Sequence, residues 1–208
     1  MSRREPKIAI IDYGVGNLMS VRVGISRAGG EPFITGDVKE ALEADAVVLP
    51  GVGAFRPAMQ ILEPYRKEIL EAVREGKPFL GICLGMQLYF EESLEKGMTS
   101  GLKLIRGRII PLPENVKRPH IGWNSIKIVK ESKLLSGVRN GEYFYFVHSY
   151  YADAPAEATV AETEYGVSFP SVIEYGSLYG TQFHPEKSGP QGLRILKNFV
   201  EVASGGES

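Results

Sequence analysis

Apolar residues follow two periods in the first half of the chain, and the two alternate. Short runs dense in Ile, Val, Ala and Leu occur at residues 7–12, 32–35, 46–49 and 78–82. Between them, apolar positions recur at helical spacing at 18–28, closed by Gly29 and Gly30, at 37–44, at 57–74, closed by Gly76, and from 84 to about 95. The first pattern belongs to buried strands and the second to helices with one apolar face. Repeated strand and helix units of this kind require a mostly parallel sheet with helices on both faces.

The pattern changes from residue 102 to 183. Runs rich in Tyr, Val and Ile at 125–129, 143–150, 159–164 and 171–174 are punctuated by Gly, Asn and Pro, which predicts antiparallel strands joined by turns. A last helix is expected at 191–203, where Leu193, Leu196, Val200 and Ala203 share a face that can pack back on the sheet. The expected fold is therefore α/β, a doubly wound and mostly parallel central sheet with an additional antiparallel β-rich portion in the second half. No linker or internal repeat divides the chain, so residues 1–208 read as one domain with its core at about 7–203, and 204–208 are expected to fray.

Composition narrows the class. The 208 residues carry 24 basic and 25 acidic side chains and are 43% hydrophobic, which suits a globular domain and excludes a disordered or collagen-like chain. Balanced charge removes the electrostatic footprint of a nucleic-acid binder. A single cysteine, Cys83, forms no internal disulfide, and the opening residues lack the apolar core of a secretion signal, so a cytoplasmic protein is expected. The longest nearly apolar stretch, 46–55, is broken by Pro50, Gly51 and Gly53, whereas a membrane-spanning helix needs about 20 apolar residues.

The chemistry centres on that lone cysteine. In Phe79-Leu-Gly-Ile-Cys-Leu-Gly-Met-Gln87 a strand gives way to a helix at Cys83, with glycines two residues before and two after it. This is the layout of a nucleophile elbow, in which a sharp turn exposes the nucleophile above the sheet. There the helix N-terminus favours a thiolate, and the Leu84 amide is expected to meet an oxyanion. The alternative is a buried core cysteine beside an apolar strand. Three histidines are available as a base. His184 is followed by Pro185 and Glu186, so a carboxylate two residues on can hold one imidazole nitrogen while the other faces a thiol. His120 and His148 have no carboxylate nearby in sequence and read as structural. One Cys and three scattered His give no metal-ligand spacing, so no metal site is expected.

Pro50-Gly-Val-Gly53 follows a strand, and its glycines either make an ordinary turn or present a second oxyanion donor from Gly51 or Val52. Asp12-Tyr-Gly-Val-Gly-Asn-Leu18 hints at a dinucleotide fingerprint, but Met19 stands where the third glycine belongs.

Taken together, Gly81-Ile-Cys-Leu-Gly-Met-Gln87, His184-Pro-Glu186 about a hundred residues later and Pro50-Gly-Val-Gly53 resemble the class I (triad) glutamine amidotransferases. Asp12–Leu18, Pro119-His-Ile-Gly-Trp-Asn124, Tyr145-Phe-Val-His-Ser-Tyr150 and Gln182-Phe-His-Pro-Glu-Lys-Ser188 are similar to the glutaminase subunits of imidazole glycerol phosphate synthases within that family. The resemblance runs from residue 7 to about 200. It implies a flavodoxin-like domain that needs no cofactor and hydrolyses L-glutamine to glutamate and ammonia. Ammonia would pass to a separate (β/α)8-barrel cyclase subunit in histidine biosynthesis.

The roles it implies are specific. Cys83 attacks the side-chain amide, His184 shuttles the proton and Glu186 holds the ring. The Leu84 amide and one from the Gly51-Val52 peptide meet the oxyanion, the latter after a flip signalled by the partner. Gly53, Gln87, Ser149 and Tyr150 grip the substrate, and Tyr13, Asn17, Trp123, Asn124 and Lys187 lie near the subunit interface. Trp123, the only tryptophan, suits an interface anchor in a loop after Pro119, although a core position is equally open. The rival readings are a glutaminase for another synthase, a cysteine hydrolase of similar fold, and a binding module with a structural Cys83.

Overall fold

The computed structural model describes residues 4–14, 17–51 and 53–205. The expected unit structure is present: β1 (Lys7–Ile11), α1 (Leu18–Arg27), β2 (Glu31–Thr35), α2 (Val38–Glu43), β3 (Ala46–Leu49), α3 (Phe55–Leu62), α4 (Arg66–Arg74), β4 (Phe79–Ile82) and α5 (Leu84–Gln87). Then come β5 (Glu92–Ser93), β6 (Thr99–Ser100), β7 (Arg108–Pro111), β8 (His120–Ser125), β9 (Lys127–Ile128), β10 (Tyr143–His148), β11 (Tyr150–Asp153), β12 (Thr159–Glu164), β13 (Ser168–Tyr175), β14 (Leu178–Thr181) and α6 (Gly189–Ala203).

The main sheet has eight strands in the order β2-β1-β3-β4-β14-β13-β12-β9. Its first five strands are mutually parallel, and the last three extend it antiparallel. Strand alternation divides the core between two faces. Ala9, Ile11, Val47 and Leu49 join Ala58, Leu62 and Ile69 of α3 and α4. Ile8, Ile10, Val48 and Leu80 join Val21 and Ile25 of α1 and Leu196 and Phe199 of α6. Burial on both faces is why β1, β3 and β4 read as unbroken apolar runs.

Three expectations are corrected. The helix expected at 57–74 is two helices joined by a 3-10 turn, Glu63–Tyr65, because Pro64 has no N–H for the helical ladder. The helix expected to reach residue 95 stops at Gln87. Leu88, Tyr89 and Phe90 are fully buried, and their carbonyls accept from the Leu102, Leu104 and Lys103 amides, so the loop after β6 replaces the next helical turn. The strand expected at 125–129 is shared between β8 and β9, which belong to different sheets, and Ile126 is buried between them. Residues 206–208 of the tail lie outside the described residues.

Candidate active site

The carboxyl ends of β3, β4 and β14 lie side by side, with Leu49 opposite Gly81 and Ile82 opposite Thr181. In an open α/β sheet this is the edge where ligands bind. Cys83 stands there at φ 48° and ψ −104°, its amide donating to Thr181 O at 2.6 Å. A positive φ is uncommon outside glycine and is held only when the surroundings impose it. The flanking glycines show what imposes it. A Cβ at Gly81 would lie 2.4 Å from the Met86 nitrogen, and one at Gly85 would lie 1.9 Å from the Leu49 carbonyl oxygen. The elbow therefore needs backbone contact on both sides of the cysteine. The helix after it is a single turn, so the thiol does not face the end of a long helix dipole.

His184, at the end of β14, is fixed on both sides of its backbone: its amide donates to Tyr145 O at 2.9 Å, and its carbonyl accepts from Ser188 Oγ at 2.6 Å. A 3-10 turn at Pro185–Lys187 brings Glu186 back, and His184 Nδ1 donates to Glu186 Oε1 at 2.8 Å. Both side chains are buried, at 1% and 3% exposure. Burial alone would lower the ring's pKa, but Cys83 and Glu186 outweigh it and raise it to about 10, so the imidazolium is the favoured form. Among the described residues, His184 Nε2 and Glu186 Oε2 have no hydrogen-bond partner.

A pocket of about 320 Å³ opens over the cysteine, lined by Gly51, Gly53, Cys83, Leu84, Gln87, Glu95, Pro119, Val147, His148, Ser149 and Tyr150. It brings together the expected oxyanion and substrate residues apart from Val52, which lies outside the described residues. His184 does not line it. A wider groove of about 610 Å³ between α1 and α6 touches Glu186 but not Cys83, so of the two only the smaller pocket opens onto the cysteine. Of the lining residues, Glu95, Pro119, Val147 and His148 were not expected there, and neither was Gln182 beside the cysteine. Glu95 reaches the pocket because the chain leaves the helix at Gln87, and its carboxylate accepts from the Phe55 amide at 2.8 Å. Gln182 is fully buried and donates through Nε2 to Cys83 Sγ at 3.4 Å. Its signal was an amide side chain two positions before His184, just past the fully buried strand Leu178–Thr181.

The glutamine amidotransferase class I family model matches residues 26–203. The HisH subunit of imidazole glycerol phosphate synthase from Methanosarcina acetivorans is 50% identical over 199 residues, 94% of this chain and 98% of that one. The chain belongs to the class I glutamine amidotransferases. The HisH subunit of Methanothermobacter thermautotrophicus is 51% identical over 195 residues, again 94% and 98% of the two chains, which sets this amidotransferase in the HisH group. Its fold is shared more widely: the structure of PurLQS from Thermotoga maritima superposes with a TM-score of 0.77 at 17% identity, covering 96% of this chain and 99% of that one.

The residues expected near the interface of this amidotransferase differ in environment. Trp123 lies on β8, not in a loop, and is 54% exposed, flanked by exposed Ile121 and Tyr143 on the outer face of the β8/β10 ribbon. Asn17, the N-cap of α1, and Lys187 are exposed. Tyr13 is buried, and its hydroxyl donates to the Pro50 carbonyl. Asn124 is half-buried and donates to Glu164 O at 3.0 Å. No helix among the described residues is long and apolar enough to cross a membrane.

His120 and His148 form a cross-strand pair. The direction of each bond follows from Tyr150 O, which only accepts: His148 Nδ1 donates to it at 3.0 Å, so His148 Nε2 accepts from His120 Nδ1 at 3.1 Å, and His120 Nε2 faces Asn124 Nδ2 at 3.4 Å. Burial lowers His148 to about 3 and His120 to about 4. Both folded values lie below the unfolded value near 6.5, so their contribution to stability is present above about pH 6.5 and is lost as pH falls toward 4 and 3. His148 alone is expected to cost ~2 kcal/mol at pH 5 relative to pH 7. Thermal unfolding at the two pH values checks this, with a flatter profile in His148→Leu; equal slopes would reject it. His184 acts in the opposite sense: its contribution is complete below about 6.5 and is lost as pH rises through 10.

Proposed function

We propose that Cys83, His184 and Glu186 carry the glutaminase reaction of a HisH subunit, and that the ammonia released passes to a (β/α)8-barrel cyclase partner. The observation that carries this reading is a cysteine held at a strained elbow beside a buried histidine whose protonated form its neighbours stabilise. Cys83 Sγ attacks the δ-carbon of glutamine. Oxyanion charge is met by the Leu84 N–H and one from the Gly51-Val52 peptide. Collapse of the adduct breaks the C–N bond as the imidazolium gives its proton to the departing nitrogen, leaving ammonia and a γ-glutamyl thioester. Neutral His184 then takes a proton from water as the water attacks, and the thiolate leaves with glutamate complete. Glu186, accepting from Nδ1, keeps Nε2 aimed at the reacting atoms.

The pocket suits an α-amino acid. Gln87 Nε2 is committed to Tyr150 O at 2.9 Å and Gln182 Oε1 at 3.1 Å, so Gln87 offers its Oε1 as an acceptor. With the Glu95 carboxylate, that acceptor reads an ammonium group, while the N–H groups of Ser149, Tyr150 and Gly53 are left for the carboxylate. At about 320 Å³ the pocket is at the small end of ligand sites, which run to roughly 300–1,000 Å³.

The partner reading rests on the HisH relatives and on the apolar outer face around Trp123. Glutamine hydrolysis is expected to rise when the barrel subunit and its ribotide substrate are added. Stimulation by a different synthase subunit, and not by the barrel, would overturn the partner. Trp123→Ala is expected to weaken the complex at least tenfold, because exposed aromatic anchors dominate interface energies, while alkylation of Cys83 in the free subunit stays unchanged. Calorimetric titration of the two subunits checks it.

A further inference from the structure

The orientation of a buried amide beside the nucleophile follows from a carbonyl four atoms away. Tyr150 O can only accept, so the group Gln87 turns toward it at 2.9 Å is its NH2. That same Nε2 lies 3.1 Å from the Gln182 side chain, which therefore presents its oxygen to Gln87. The Gln182 NH2 is then left facing Cys83 Sγ at 3.4 Å. Gln182 is fully buried, its backbone N–H donates to Ser171 O at 2.9 Å, and its side-chain amide is held between Gln87 and Cys83.

We propose that Gln182 is a positioning residue for the amidotransferase reaction, a fixed N–H donor that holds the Cys83 sulfur in its attacking place and favours its charged form. The proposal rests on the glutaminase reading of Cys83. A donor aimed at sulfur matters at two moments, before attack and when the thioester collapses, because in both the sulfur carries negative charge. In the thioester between them it does not, so the bond loosens there. His184 is therefore free to turn its proton toward nitrogen or water while Gln182 still donates to the sulfur, whose other backbone contact is Val147 O at 3.7 Å. The Gln87 side chain ties this device to the substrate pocket, since one amide group touches both the pocket and Gln182.

Cys83 is the only cysteine, so iodoacetamide labelling of the full chain reports on it alone. Gln182→Met removes the donor and keeps the bulk. The midpoint of its pH–rate profile for alkylation is expected to rise by about one pH unit, with labelling about tenfold slower below both midpoints, the scale of a hydrogen bond to a charged group. The titratable groups coupled to Cys83, His184 and Tyr13, are unchanged in this variant. Gln182→Glu keeps the oxygen that Gln87 needs and places a second acceptor at the sulfur, so its midpoint rises further. With the barrel partner, kcat falls about 10- to 100-fold in both while KM for glutamine stays within threefold. Ser171→Ala, a buried neighbour whose hydroxyl has no partner among the described residues, leaves the midpoint in place.

A midpoint unmoved in folded Gln182→Met and Gln182→Glu would overturn the proposal and leave Gln182 as packing. If neither variant folds, the side-chain amide protons of Gln182 in the parent chain decide by NMR: they shift with the Cys83 titration if the bond exists and stay still if it does not. Failure of the parent chain to hydrolyse glutamine would reject the glutaminase reading, and the alkylation profile would still decide the Gln182 contact.

Discussion

Cys83→Ser is expected to reduce partner-stimulated glutamine hydrolysis by about 10⁴-fold or more, the scale on which single members of a nucleophilic triad fail, with little change in thermal stability. The elbow is strained in its backbone, and serine meets the same φ 48° with a smaller atom, so the fold has no reason to change. What is lost is the sulfur of the proposed nucleophile, replaced by a far less acidic hydroxyl. A second consequence can be read separately. Cys83 is one of the two neighbours that raise His184 to about 10, so in the serine variant the histidine's pKa falls, and NMR titration of its ring protons follows the fall. Ammonia release and stoichiometric labelling of the parent chain by a glutamine-derived diazo-ketone complete the test. Hydrolysis within tenfold of the parent would remove Cys83 from the mechanism.

Gly85→Ala carries the other large effect, and it acts on folding. The added methyl would lie 1.9 Å from the Leu49 carbonyl oxygen, which belongs to a central strand paired on both sides. Neither partner is a flexible side chain, so α5 must move away from β3 and take the elbow with it. A loss on the order of 3–5 kcal/mol is expected, in the range of severe overpacking, together with loss of hydrolysis even in the folded fraction. Urea unfolding measures it. Gly76→Ala supplies the contrast: that glycine has φ +87° but nothing within 4 Å of its new methyl, so the cost is confined to backbone conformation, about 1–2 kcal/mol. Equal losses in the two variants would show that the contact with β3 is not what makes Gly85 necessary.

The parallel half of the fold was legible because each strand is buried on both faces and each helix on one, so two periods could be told apart. The sequence misled where burial was complete all round. From Leu84 to Phe90 the residues are buried without interruption, a run that helix and strand share, and the choice was made by the loop at 102–105, which claims the free carbonyls. That error hid Glu95, which a continuous helix would not deliver to the pocket. The proposed triad was legible because its geometry is local: glycines around Cys83, and a carboxylate two residues from His184. Gln182 and the direction of its bond were not, because they depend on Tyr150 and Gln87, residues brought together only by the fold. Trp123 is an aromatic on a two-stranded ribbon with one face packed on the core, and alternation alone does not say which face is which.

Strand β14 lies between β4 and β13, and it brings His184 to Cys83 across 101 residues of chain, from 83 to 184. During synthesis from the N-terminus, β1, β3 and β4 have all emerged long before β14 exists to take its place in the sheet. Until it does, the ribosome-bound chain displays Cys83 without His184, Glu186 or Gln182. On the proposed triad, competence to hydrolyse glutamine is therefore gained only near the end of synthesis.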